Sequence, residues 1–510
     1  MENPFDVIIS TDRTLMSNHH GKEFLGFMTT GPSVVLPERL WMAIAAPEMK
    51  VDKLGRPLEA PYGLRKIEAA LIDAGIKAAV IDPDHLKKHL KTAKVLAIGH
   101  HDYFALGPPS SEWWALTGKE PLNSKSFRKF IQKPEIKNAK QKGLKIIVGG
   151  PAAWQWLWMP EATEKWGIDT IIEGEADKLV VELVENALSG KPLPKYVRIG
   201  TEGSPKLGEI PIIKHASVNG LVEIMRGCPR GCRFCSVTIR PMRCYTLDMI
   251  EKELRVNSSE GVGRCILHAE DVLLYGANTI KPSPEPLFEL HRLVKKYFHD
   301  VCWSHVSLSA VKYAEESDSL ITRLSELLIQ NDHGMIGVEV GVETGSIRLA
   351  EKLMPAKASP YPIASWPEVV KDAFAIMHEA RIMPAATIVI GFPGESAEDL
   401  TKTLELVEDL REFRSLIIPM YFVPLGALKN KDWYKAQPSV EQMELMKACL
   451  KHDMIWITRI SDWYFKDMNP IIRTLLRSVI FSIRKLAEWY HFLEIGNLHY
   501  KKSNTFPLKF

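Results

Sequence analysis

Short apolar runs alternating with stretches of helical periodicity set the rhythm of the N-terminal part of the chain. Strands are predicted at 40–46, 78–81, 95–99, 144–149 and 169–172, most of them ending near Gly or Pro. Helices are predicted at 64–74, 84–91, 124–142 and 176–188. This βαβα order predicts a doubly wound, Rossmann-like parallel sheet, with ligands beyond the carboxyl ends of its strands. The loops at those ends read Ala60-Pro61-Tyr62-Gly63, Gly99-His100-His101-Asp102-Tyr103, Gly149-Gly150-Pro151-Ala152 and Glu173-Gly174-Glu175-Ala176. At Gly149-Gly150 a ligand can approach the backbone closely because glycine has no Cβ; a plain tight turn is the competing reading. Neither GxGxxG nor a GxxxxGK phosphate loop opens any of these helices, which argues against nucleotide binding through those loops.

Residues 190–219 carry Pro192, Pro194, Gly200, Gly203, Pro205, Gly208 and Pro211. Such a density of breakers marks a boundary, placing a first domain at 1–200 and a linker at 201–219. From Gly220 the alternation resumes with a longer period: strands at 221–226, 264–268, 301–308, 335–340, 385–390 and 416–422, helices at 247–256, 285–296, 318–330, 366–380 and 397–412. Six βα units over 220–428 predict a (βα)6 partial TIM barrel with its chemistry at the strand carboxyl ends. Residues 429–510 are read as a mainly helical region, with helices at 440–457 and 470–493, closing the substrate side. The second helix sets Arg473, Arg477, Arg484 and Lys485 among apolar residues. Packing of its apolar face on the barrel is the favoured reading, and contact with a membrane surface or a partner the alternative.

The first strand of the second domain ends in Arg226-Gly227-Cys228-Pro229-Arg230-Gly231-Cys232-Arg233-Phe234-Cys235. Three thiols in one Gly/Pro-broken loop point to a metal centre of Cys228, Cys232 and Cys235. A structural zinc site closes with four ligands, and no CxxC or HxxxH partner lies nearby, so an iron–sulfur cluster with one iron left open fits better. Structural zinc and a chance cluster of buried cysteines are the alternatives. After the second strand, Glu270 and Asp271 offer two carboxylates to an ammonium group; a helix N-cap is the competing reading.

Composition narrows the setting. The 510 residues are 46% hydrophobic and 25% charged, so more than one core is expected, and a net charge of +3 gives no electrostatic case for nucleic acid. No secretory leader and no apolar run of about 20 residues is read in the chain, and Cys244, Cys265, Cys302 and Cys449 are scattered rather than paired. A cytoplasmic protein is expected.

The cysteine spacing, with Phe234 before the third cysteine, resembles the radical S-adenosylmethionine superfamily over about 200 residues, and further motifs follow in order. The resemblance implies that Glu270 and Asp271 meet the amino end of S-adenosylmethionine. Gly341-Val342-Glu343-Thr344-Gly345-Ser346-Ile347-Arg348 is similar to the ribose and carboxylate motif, implying Glu343, Ser346 and Arg348; a surface pair of Arg348 with Glu351 is the alternative. The strand ending Ile390-Gly391 loosely resembles the GxIxGxxE adenine motif, with Thr387 in place of its first glycine and Glu395 one place late. Upstream, Tyr62-Gly63, Gly149-Gly150-Pro151 and Glu173-Gly174-Glu175 resemble the cobalamin-binding domain of one branch, implying corrinoid contacts there and at Gly99 and His100. The DxHxxG histidine motif is absent, which implies a corrinoid without that ligand. The whole resembles archaeal cobalamin-dependent radical S-adenosylmethionine methyltransferases, helped by 14–21 and 24–27. It implies a 4Fe–4S cluster, S-adenosylmethionine and cobalamin as cofactors, an external electron donor, methyl transfer to an unactivated carbon, and a substrate that in some members is a peptide or protein. Ring formation or rearrangement without methyl transfer is the alternative, and a non-catalytic iron–sulfur protein the weaker one.

Overall fold

The computed structural model describes residues 4–33, 36–329, 334–429 and 438–492. Six strands build the first sheet: β1 (Val7–Ser10), β2 (Ala78–Val80), β3 (Val95–Gly99), β4 (Lys145–Gly149), β5 (Thr170–Glu173) and β6 (Tyr196–Arg198), in the order β2-β1-β3-β4-β5-β6 with every pair parallel. Alternate residues face two cores. Ile8, Leu96, Ile98, Ile146 and Val148 pack with Phe127 and Trp156 on one face; Val7, Ile9, Val95, Ala97 and Ile147 pack with Leu64, Leu71 and Val184 on the other. A parallel sheet covered on both faces is the form that βα crossovers impose.

The N-terminal elements differ from those expected at several points. The run at 40–46 is not a strand but the helix Glu38–Ala45, which buries Trp41, Ile44 and Ala45 at helical spacing. Two strands are absent from the sequence reading: β1, which sits inside the sheet between β2 and β3, and β6, which forms its edge within the breaker-rich stretch 190–219. The helix expected at 124–142 is two, Leu122–Ile131 and Pro134–Gln141, because proline cannot continue the first. The helix expected at 84–91 is a single turn, Leu86–His89.

The second set begins with β7 (Leu221–Glu223), β8 (Met225–Arg226) and β9 (Arg243–Cys244), then β10 (Arg264–His268), β11 (Asp300–Trp303), β12 (Ile336–Glu343), β13 (Ile382–Ile390) and β14 (Leu416–Tyr421). β7, β10 and β11 pair in parallel, as do β12, β13 and β14, and a His305–Glu339 bridge joins the two trios into an arc that follows chain order. The expected strand 221–226 breaks at Ile224, where the chain leaves β10 and β8 pairs antiparallel with β9 around the cysteine loop. The strand expected to reach residue 308 stops at Trp303. A helix, Leu308–Asp318, follows, and a left-handed Ser319 separates it from Leu320–Leu328. Residue 330, the expected end of that helix, lies outside the described residues, as does residue 493.

The two halves are tied together through polar side chains. Lys66 Nζ and Tyr62 Oη donate to Glu253 at 2.6 and 2.8 Å. Residue Ala60 bridges Ser217 in strand fashion. From the C-terminal part, helix Val440–Tyr464 lays Trp456 and Ile460 on Met383 of β13, while Leu476 and Val479 of helix Pro470–Phe492 pack against Leu25, Ile44 and Trp41 near the N-terminus. The described apolar contacts of that helix thus lie on the N-terminal segment and not, as expected, on the barrel. Among the described residues no helix is long and apolar enough to cross a membrane.

Candidate functional site

The cysteine loop hangs from β8 and is held from several sides. Gly227 adopts φ +93, and a Cβ there would stand 2.6 Å from the Pro241 carbonyl oxygen. Arg230, 3% exposed, donates to Ser307 Oγ at 2.6 Å and Ser359 O at 3.0 Å, and meets Asp271 Oδ2 at 3.3 Å. Arg233 donates its amide to Leu353 O and accepts from the Ala427 amide, both at 2.8 Å. Cys232 is buried, and Cys228 and Cys235 are partly so. Burial pushes the Cys228 thiol up to about 11 and raises the other two, with the Glu270 carboxylate adding to the effect at Cys235. Bound iron would be needed to deprotonate them at neutral pH. Among the described residues no three Cys, His, Asp or Glu groups close on one point as ligands of a single ion would. A four-iron cluster, each thiolate on its own iron, asks for a wider triangle.

The residues assigned by resemblance to S-adenosylmethionine cluster around this loop, several of them already engaged. Phe234 packs on Phe392, ring centroids 5.3 Å apart, beside the Ile390-Gly391 turn. The Gly391 amide donates to Glu395 Oε2 at 2.8 Å, and the Ile390 carbonyl accepts from Phe422. Glu343, at φ +64, accepts from Lys357 Nζ at 2.9 Å and from Thr387 Oγ1 at 3.3 Å, so the threonine that departs from the adenine pattern has a partner. Gly341 makes room for this fold-back, since a Cβ there would lie 2.1 Å from Glu343 Oε1. Ser346 Oγ donates to Asp399 Oδ1. Arg348 reaches the same carboxylate, with Nε 3.1 Å from Oδ1, rather than Glu351. Asp271 is buried against Arg230 and Ser307 Oγ.

The N-terminal loops meet in one large space. A cavity of about 1090 Å³ lies between the carboxyl ends of the sheet and the inner face of the strand arc. Tyr62, Gly63, Gly99, His100, Gly149, Gly150, Pro151, Glu173, Gly174 and Glu175 all line it, as do Ser236 and Arg240 beside the cysteine loop. Gly63 opens helix Tyr62–Asp73, and a Cβ added there would meet nothing within 4 Å, so its small size leaves cavity space. His100 accepts the Asp102 amide on Nδ1 at 2.9 Å, and its Nε2 faces Asp12 at 3.4 Å. Some of the other lining side chains are joints rather than free groups. Arg243 donates to both oxygens of Glu175, Arg226 pairs with Asp177 at 3.0 Å and Glu223 at 2.7 Å, and Lys429 holds Glu173 at 3.0 Å. The neighbouring Arg226, opposed by burial, holds the Glu223 carboxyl down at about 2. These arginines fasten the hairpin that carries the cysteine loop to the rim of the sheet.

The description of the Radical SAM superfamily matches residues 222–407, from β7 through helix Ala397–Asp409. Residues 222–407 form a radical SAM domain. A domain of this class uses a 4Fe–4S cluster and S-adenosylmethionine. An uncharacterized protein of Methanopyrus kandleri is 28% identical over 344 residues, covering 55% of this chain and 61% of that protein. Ribosomal protein uS12 methylthiotransferase RimO of Petrotoga mobilis is 25% identical over 249 residues, 48% of this chain and 51% of that protein. The chain therefore spans between half and three-fifths of these relatives. Among solved structures, the radical S-adenosylmethionine methyltransferase TsrM of Kitasatospora setae, with cobalamin and a 4Fe–4S cluster bound, aligns at a TM-score of 0.48 and 14% identity over 83% of this chain and 77% of that one.

Several residues of the radical SAM domain that shape the site were not singled out from sequence: Arg243, Lys357, Asp399 and His305. Each meets its partner across 14 to 68 positions of sequence, beyond any local motif. His305 had one available signal, its place just past the end of a barrel strand.

Proposed function

We propose that this protein is a cobalamin-dependent radical S-adenosylmethionine methyltransferase that adds a methyl group to an unactivated carbon. The observation that carries the reading is the cavity: every N-terminal position assigned to corrinoid lines it, and it extends to Ser236, next to Cys235. Its volume exceeds the roughly 300–1,000 Å³ of an ordinary small-molecule pocket, as a site for a macrocycle with a second ligand requires. Bare glycine surface at Gly63 suits a flat ring, while Gly150, at φ +88, makes room for the His100 backbone, which would stand 3.0 Å from a Cβ there.

Cys228, Cys232 and Cys235 would hold three irons, leaving the fourth to S-adenosylmethionine, with Glu270 near its ammonium and Glu343 near its ribose. Tyr62, Gly63, Gly99, His100, Gly149, Gly150, Pro151, Glu173, Gly174 and Glu175 would form the corrinoid side. When bound, these cofactors supply one-electron cleavage and methyl carriage; the chain orients them and excludes water. The Arg243–Glu175 and Arg226–Asp177 pairs hold the two sides in register.

The test is methyl-labelled S-adenosylmethionine given to the anaerobically reconstituted, reduced enzyme with cell extract as the source of substrate. Label in a carbon-bound methyl of a product supports the reading. Release of deoxyadenosine with no label transferred favours ring formation or rearrangement instead.

A further inference from the structure

The cavity has a second polar surface, apart from the glycine loops of the sheet. His305 donates from Nε2 to Glu339 Oε2 at 3.0 Å, at the point where the two strand trios meet. His268, at the end of β10, has its ring 5.9 Å from that of His305. Glu23 and His101, both from the N-terminal half, line the same cavity as these three. The side chains of His305 and Glu339 are 39% and 35% accessible, and that accessibility opens onto the cavity.

The balance of donors and acceptors is uneven. Glu23 and the second oxygen of Glu339 have no donor among the described residues; burial, with the Glu339 carboxylate beside it, pushes the Glu23 carboxyl up to about 7, and an entering cation would favour its ionised form. The nearest cations are held elsewhere: Arg264 pairs with Asp300 at 3.1 Å, and Lys22 lies over the Tyr464 ring at 5.0 Å. Burial keeps His268 and His101 neutral, the latter down at about 4. Burial is the largest influence on His305 and opposes its charge, but the hydrogen bond to Glu339 together with the nearby Glu339, Glu270 and Glu23 carboxylates raises its pKa overall. Nδ1 of His268 and of His305 is buried with no partner. A carboxylate ligand would meet two glutamates here, and an apolar one would leave their oxygens dry.

We propose that Glu23, Glu339, His268 and His305 form a substrate subsite that takes a protonated amine. This rests on reading the cavity as the reaction chamber. A cationic nitrogen entering between the two side chains donates charge-assisted hydrogen bonds to Glu339 Oε1 and to the Glu23 carboxylate.

The test is calorimetric titration of the anaerobically reconstituted full chain with n-hexylamine, n-hexanol and sodium hexanoate at neutral pH. The amine should bind about tenfold or more tightly than the alcohol, the carboxylate should not bind, and Glu23→Gln and Glu339→Gln should each weaken the amine about tenfold. Because Glu339→Gln also disturbs the His305 pair, Glu23→Gln, which lies outside that pair, gives the independent reading. Equal binding of all three probes, no amine binding, or an amine affinity unchanged in Glu23→Gln overturns the subsite. Loss of amine selectivity with methyl transfer intact sinks the subsite alone; selectivity without label transfer sinks the methyltransferase reading alone.

Discussion

Arg243 closes on Glu175 with both terminal nitrogens, Nη1 2.8 Å from Oε2 and Nη2 2.7 Å from Oε1, and both side chains are at least nine-tenths buried. The pair joins the hairpin around the cysteine loop to the end of the N-terminal sheet. Removing one partner strands a buried charge, so Arg243→Ala should cost about 3–5 kcal/mol in urea unfolding, and the double change Arg243→Met with Glu175→Leu should cost less. A loss under about 1 kcal/mol for Arg243→Ala would count against the clamp.

Glu112 makes a second joint. Its carboxyl accepts from the Tyr421 amide of β14 and from Ser111 Oγ, the latter at 2.9 Å, and burial pushes it up to about 7. The folded chain therefore binds this proton more tightly than the unfolded chain does. Its stabilising effect is complete below an ordinary carboxyl pKa and is lost as pH rises through 7. Between pH 4.5 and 8 the native protein should lose about 3 kcal/mol relative to Glu112→Gln, read from paired denaturation curves. Parallel pH profiles would remove Glu112 from the account.

How much of this was legible in the sequence depends on the distance between partners. Cys228, Cys232 and Cys235 fall in one short loop, and Gly149-Gly150 marks its strand end directly, so both could be read in place. The apolar run at 40–46 is too short to separate helix from strand by period, and the packing of Trp41 and Ile44 decided for helix. Asp399, the N3 residue of an ordinary capping box, gave no hint that it also gathers Ser346 and Arg348. The joints Arg243–Glu175 and Lys66–Glu253 pair residues 68 and 187 positions apart, which no local pattern encodes.

The cysteine loop gives a prediction that separates a cluster from a chance grouping. Anaerobic reconstitution should load about four irons per chain, and Cys228→Ala, Cys232→Ala and Cys235→Ala should each abolish most of that load and its visible absorption. Iron retained in all three variants, or stoichiometric zinc in the purified protein, would contradict the assignment.

Glu343 is held folded back by Lys357 and Thr387. Glu343→Gln preserves its shape while removing the charge. S-adenosylmethionine affinity measured by equilibrium dialysis should fall about tenfold with iron content unchanged. An unaltered affinity would place Glu343 outside the cofactor contacts.

The proposed corrinoid would sit in the cavity between sheet and strand arc, beside the cysteine loop. Gly63 faces that cavity with nothing within 4 Å of a Cβ, so a side chain begun there is directed into ligand space. Cobalt and iron should be counted together after anaerobic reconstitution with hydroxocobalamin and desalting. About one cobalt and four irons per native chain are expected, with a Gly63→Val protein that keeps its iron and loses its cobalt. Native protein that retains no cobalt, or a Gly63→Val variant that retains it fully, would contradict that placement.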